Sequence, residues 1–168
     1  MVPTAGTLLQ SYFSYYSQRP NGPGGYGQLQ GYTAHFIPVK SKGVLFGTLR
    51  GGTSLGAENL GLAGFSIGGP LRLSAYDRNE LLGSNYFLAQ TGFLYRLIRL
   101  NPLIADAIYA DGVYEIGEMY NGNAGTPSLP MDFAGAVIVK TLIGPLYGGA
   151  SVGNHDHRKW FIGLGRVF

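Results

Sequence analysis

The chain has 168 residues, 28 of them Gly and 12 Tyr, no Cys, and a formal net charge of +3. Charged residues make up 12%, about half the share of an ordinary soluble domain. That length gives one domain or a piece of one, and the missing cysteine excludes disulfides and thiolate metal sites.

The scattered basic residues offer no footprint for nucleic acid. No run approaches the roughly 18 apolar residues of a membrane helix, so a membrane crossing would have to use strands. Met1 is not followed by a charged and then an apolar leader, so the sequence reads as a mature form or a piece of a longer product. Low charge, abundant Gly and abundant Tyr fit a transmembrane barrel, with aromatic girdles and glycine at bends.

Eight strands follow from the alternation of side chains. The first is Thr7–Tyr16, ended by the turn-rich RPNGPGGYG. The second, Gln28–Val39, turns Tyr32, Ala34 and Phe36 one way and Thr33 and His35 the other. Lys40–Gly43 is a short turn into the third strand, Val44–Gly52. A long connection, roughly Ser54–Ser84, follows it. The fourth strand, Asn85–Leu97, alternates most cleanly: Phe87, Ala89, Thr91, Phe93, Tyr95 and Leu97 share one face, and Gln90, Gly92 and Arg96 the other. The fifth, Ile104–Gly117, sets Ile108, Ala110, Tyr114 and Ile116 against Asp111 and Glu115. The sixth, Phe133–Leu142, sets Val137 and Val139 against Lys140. Ile143–Pro145 turns into the seventh, Leu146–Gly153, and the eighth is Trp160–Phe168.

Connection lengths alternate. Lys40–Gly43, Ile98–Leu103 and Ile143–Pro145 are short, whereas Ser17–Gly27, Ser54–Ser84, Glu118–Asp132 and Asn154–Lys159 are longer. Short turns on one side and long loops on the other are the pattern of bacterial outer-membrane barrels, whose short turns are periplasmic. Both termini are then expected on the periplasmic side. Arg96, Asp111, Glu115 and Lys140 all fall on the less apolar face of their strands, as a lumen requires. Asp106, near a periplasmic end, is the expected exception that tolerates exposure. The expected fold is thus all-β: an antiparallel transmembrane β-barrel with eight strands in this chain.

Several residues invite a chemical reading. Gly52-Thr53-Ser54-Leu55-Gly56 matches the hydrolase Gly-x-Ser-x-Gly pattern, but that motif needs a strand-to-helix turn and a His or Asp partner. A Gly-rich strand precedes Ser54 and no amphipathic helix follows, so no catalytic role is expected. His155-Asp156-His157 offers metal-ligating groups on one loop without fixed further ligands, and reads as a solvated extracellular loop. Asp111 and Glu115, four apart on one face, read as structural lumen charges rather than a general acid/base pair. No catalytic residue, metal or cofactor is expected.

The eight strands, the long glycine-led loop and the ending IGLGRVF resemble the bacterial surface antigen superfamily of Gram-negative outer-membrane barrels, which includes protein-assembly and two-partner-secretion transporters. Within it, GGPLRLSAYDRNELLGSNYFLAQTGFLYRL and TLIGPLYGGASVGNHDHRKWFIGLGRVF are most similar to the C-terminal barrel of patatin-like phospholipases. The resemblance covers nearly the whole chain. It implies a non-catalytic translocator or anchor supplying the last eight strands of a 16-stranded barrel, its lipase domain lying upstream.

It also implies a loop spanning Gly68 to Gly83, with Gly69, Arg72, Ser74, Tyr76, Arg78 and Glu80, folded into the lumen. Assembly and secretion barrels carry an Arg-Gly-aromatic tip there, whose Arg reaches a lumen acid. Here the tip is Ser74-Ala75-Tyr76, closer to the patatin-like form, and the arginine lock does not transfer. Arg72 or Arg78, paired with Asp111 or Glu115, is the expected substitute. Trp160, Ile162, Leu164 and Phe168 alternate outward, and by the resemblance this last strand is the signal read by the barrel-assembly machinery. The alternatives are an assembly or secretion barrel, and a hydrolase using Ser54. The expected partners are outer-membrane lipid, the assembly machinery, and either the missing N-terminal barrel half or a second copy through the edge strands. A self-closed eight-stranded barrel has a lumen just filled by side chains, so it would have to expel the loop.

Overall fold

The computed structural model describes residues 5–20, 22–57, 64–100, 105–121, 129–154 and 156–165. These residues form ten strands: β1 (Gly6–Tyr16), β2 (Tyr26–Val39), β3 (Gly43–Leu55), β4 (Phe65–Ile67), β5 (Leu81–Gly83), β6 (Asn85–Arg99), β7 (Ala105–Tyr120), β8 (Met131–Thr141), β9 (Gly144–Gly153) and β10 (Arg158–Leu164). Eight of them form one antiparallel sheet in the order β1-β2-β3-β6-β7-β8-β9-β10, while β4 and β5 pair in a small separate hairpin. All eight strands expected from the alternation exist. The added element is the hairpin inside the long connection.

The sheet is not closed. β1 pairs with β2 and β10 pairs with β9, and neither edge strand pairs with the other. A self-closed eight-stranded barrel is therefore not what this chain forms. The reason is volume: the connection that a small lumen would expel lies instead against the inner face.

The ladder fixes which side chains share a face. Leu9, Phe13, Leu29, Ile37, Leu45, Leu49, Phe93, Tyr95, Tyr114, Phe133, Val137, Val152, Trp160 and Ile162 point outward and are exposed. The inner face buries Tyr32, Ala34, Phe36, Val44, Phe46, Leu94, Tyr109, Val113, Ile138 and Tyr147 in one apolar cluster, with Phe161 packed against it. β-Branched and aromatic side chains suit such a pleated surface, and every second residue changes sides.

The shortest connections are tight. Val39 pairs with Gly43 across residues 40–42, and Thr141 pairs with Gly144 across Leu142 and Ile143. The second turn ends two residues earlier than the expected Ile143–Pro145, so Gly144 and Pro145 belong to β9. Register shifts at Arg96/Ile98 and Ala105/Ala107 place irregularities at the turn end of β6 and β7. There Asp106, exposed as expected, pairs with Lys140. Arg96 meanwhile donates to the Ser41 carbonyl at 2.6 Å.

Candidate functional site

The site is the tip of the connection between β3 and β6, laid on the inner face at its long-loop end. Its entry is set by glycine. Gly68 has φ +112°, and a Cβ added there would sit 2.3 Å from the Asp77 carbonyl oxygen, so no other residue fits this crossing. Beyond it the backbone folds on itself: Gly68 N–H donates to the Arg72 carbonyl at 2.9 Å, Gly69 N–H to that of Tyr76 at 3.0 Å, and Tyr76 N–H to that of Leu73 at 3.1 Å. Leu71 and Leu73 both adopt φ +64°, unusual for a branched side chain. Such a conformation costs about 1–3 kcal/mol per residue and persists only where surroundings over-determine it. Leu73 is fully buried with Phe65, Ile67, Tyr76, Leu81, Leu88 and Met119 in a second apolar cluster. That burial and the hydrogen bonds of Ser74 offset the strain.

Ser74 and Ala75 meet two buried carboxylates. The Ser74 N–H and hydroxyl both donate to Glu115 Oε2, at 2.8 and 2.6 Å, and the Ser74 oxygen accepts the Leu71 N–H at 2.9 Å. Ala75 N–H donates to Asp132 Oδ2 at 2.7 Å. Glu115 lies opposite Asp132 in the β7–β8 ladder. Two buried acids directly opposite each other need their oxygens satisfied, and the three tip donors supply that. Gln90 of β6 completes the set, donating to Glu115 Oε1 and to the Leu71 carbonyl. The fit is close: a Cβ at Gly153 of β9 would lie 2.9 Å from the Ala75 methyl.

Tyr76 and the following residues reach the far side of the sheet. The Tyr76 hydroxyl donates to Asn154 Oδ1, and its ring stacks on His157 with centroids 4.3 Å apart. His157 Nε2 lies 3.1 Å from Glu80 Oε1, and Lys159 Nζ lies 2.6 Å from Asp77 Oδ1. Burial, followed by the charges of Asp132 and Glu80, pushes the Tyr76 hydroxyl up to about 12.

The expected ion pairs are replaced by something else. Among the described residues Arg72 and Arg78 pair with neither Asp111 nor Glu115: Arg72 donates to the Ser66 carbonyl at 2.9 Å, and Arg78 lies against Gly69. A neutral serine and two backbone amides take the place of a guanidinium. Asp111 is buried on the same face, and its Oδ1 meets no donor among the described residues. His157, read from sequence as part of a solvated loop, braces Tyr76, while His155 lies outside the described residues. Ser54 is within β3 rather than on a strand-to-helix turn, and its hydroxyl accepts from Gln28 Nε2 at 3.2 Å. Trp160 and Ile162 point outward, 89% and 80% exposed, with Leu164 beside them, whereas Phe168 lies outside the described residues.

Asp132, Gln90, Asn154 and His157 were absent from the expected network. Asp132 had a legible signal: starting the sixth strand two residues earlier places it on the inward period, opposite Glu115. Asn154 and His157 had none, because only the docking of the loop gives them a partner. No protein-family model, curated protein or solved structure matches the chain.

Proposed function

We propose that this chain is a non-catalytic outer-membrane β-barrel segment, an anchor or translocator with the bacterial-surface-antigen character its sequence resembles, most like the C-terminal barrel of patatin-like phospholipases. One observation carries the proposal. Between Asp106 at the turn end and Glu118 and Arg158 at the loop end, the outward positions of the described strands hold no Asp, Glu, Lys or Arg. Apart from tyrosine hydroxyls, the one ionisable side chain within this belt is His35, which shares a 2.7 Å hydrogen bond with Thr7 across the β1–β2 pair. The inner face, by contrast, carries Glu115, Asp132, Asp111 and Arg50. A water-facing sheet has no reason to keep charge inside and exclude it outside; a lipid-facing one does.

Strand lengths of 10 to 16 residues in β1–β3 and β6–β9 also suit tilted crossings, which need about 9–11 residues. In this reading the turn end is periplasmic and the loop tip is an internal brace. The unpaired edges β1 and β10 are completed in the bilayer by a further barrel half or by a second copy, since an open edge in lipid leaves backbone groups unsatisfied.

The test is a charge placed on the belt. Val137→Arg is expected to cost about 2–4 kcal/mol in lipid vesicles and to reduce insertion, while Leu142→Arg, at the exposed two-residue turn, stays within about 0.5 kcal/mol. A wild-type chain that folds in buffer without detergent, and a neutral Val137→Arg, would sink the proposal. A lipase domain encoded upstream would specify the patatin-like family.

A further inference from the structure

A second polar feature of the inner face lies apart from the loop tip. Arg50 of β3 and Arg72 of the loop both border a cavity of about 300 Å³, walled by Gln10, Gln30 and Tyr32 from β1 and β2 and by Tyr86 from β6. Among the described residues no Asp or Glu lines it. The Nε atoms of both arginines and the Tyr32 hydroxyl are buried without a hydrogen-bond partner among the described residues. Arg50 lies over the Tyr32 ring, its guanidinium carbon 4.3 Å from the centroid, and this contact fixes the plane of the fork. One Arg72 nitrogen is anchored on the Ser66 carbonyl. Burial, then the neighbouring Arg50 charge, holds the Arg72 guanidinium below its ordinary range.

Two like charges bordering one cavity, with buried donors left unpaired among the described residues, are costly unless something of opposite charge enters. Buried donors of this kind are otherwise almost always satisfied. The guanidinium fork matches planar or tetrahedral oxygen acceptors, which two such groups can share. A cavity of this size sits at the low end of small-ligand pockets.

We propose that Arg50, Arg72 and the Tyr32 hydroxyl form a binding site for an oxyanion, the phosphate or carboxylate group of a small ligand. The site is distinct from the Glu115–Asp132 cluster and stands whether or not the outer face meets lipid.

Titration calorimetry of the folded protein tests this, with inorganic phosphate, acetate and, at matched ionic strength, chloride. Saturable one-to-one binding of phosphate or acetate, with none of chloride, is expected; the two anions separate phosphate from carboxylate specificity. Arg50→Gln and Arg72→Gln should each weaken it about tenfold or more, the loss of one charge-assisted hydrogen bond. Tyr32→Phe, which keeps the ring under Arg50 and removes only the hydroxyl, serves if an arginine variant misfolds, and should weaken binding by a factor of about 5. Absence of saturable binding to the wild type, or binding that chloride reproduces, overturns the proposal. So does affinity unchanged in the variants that fold.

Discussion

The two ends of the inner face are held by different forces. At the turn end, Phe36, Val44, Tyr109, Ile138 and Tyr147 pack in one apolar cluster. At the loop end, Glu115, Asp132, Gln90 and Asn154 hold the tip through directional hydrogen bonds. Apolar packing grows with buried area and is indifferent to which donor meets which acceptor. Buried hydrogen bonds reject every arrangement but one, since each missed partner costs about 1–3 kcal/mol. The turn end thus supplies stability, and the loop end specifies where a connection of this length comes to rest.

That division can be broken from either side. The largest effect should come from Glu115→Ala, which orphans the Ser74 N–H, the Ser74 hydroxyl and one bond of Gln90. We expect a loss of about 4 kcal/mol in urea unfolding, accompanied by new proteolytic cleavage between Gly68 and Glu80. A protected loop in Glu115→Ala would show that packing alone positions the tip. Next, Ile138→Ala should cost about 3 kcal/mol by opening a cavity at the turn end. Here the loop should stay protected below the unfolding midpoint, and early release of the tip would mean that the two ends are one cooperative unit.

The smallest effect is Tyr76→Phe, about 1 kcal/mol at neutral pH from the lost bond to Asn154. It carries a pH signature. The folded hydroxyl is raised to about 12 from an ordinary value near 10, so its contribution is complete below pH 10 and is lost as pH climbs towards 12. The wild type should therefore lose more stability than Tyr76→Phe between pH 10 and 12. Parallel pH curves for the two proteins would contradict the buried, neutral hydroxyl.

The alternation of residues along each strand was enough to place Phe93, Tyr95 and Val137 outward and Asp111 and Glu115 inward. A period of two is a local property that needs no knowledge of neighbours. For the same reason Trp160 and Ile162 were legible as outward residues. Boundaries were less so: beginning the sixth strand at Phe133 hid Asp132, because an acid beside a turn carries no sign of which period it joins. The loop was legible as a functional stretch from its length and its glycines, but its lock was not. Two arginines near two acids suggested ion pairs, whereas the backbone at Leu71 and Leu73 turns amides of the tip toward the carboxylates.

The sequence by itself determined eight strands, their two faces and the segregation of charge between them, because each follows from residues a few positions apart. Only the tertiary structure decided that the sheet stays open and that Ser74 and Ala75 dock on Glu115 and Asp132. It alone also turned Arg50 and Arg72 toward a common cavity. Those are choices among partners 41 and 57 residues distant for the two tip contacts, and they depend on excluded volume and on which buried donors find acceptors. The loop therefore reads as a loop in one dimension and as a brace only in three.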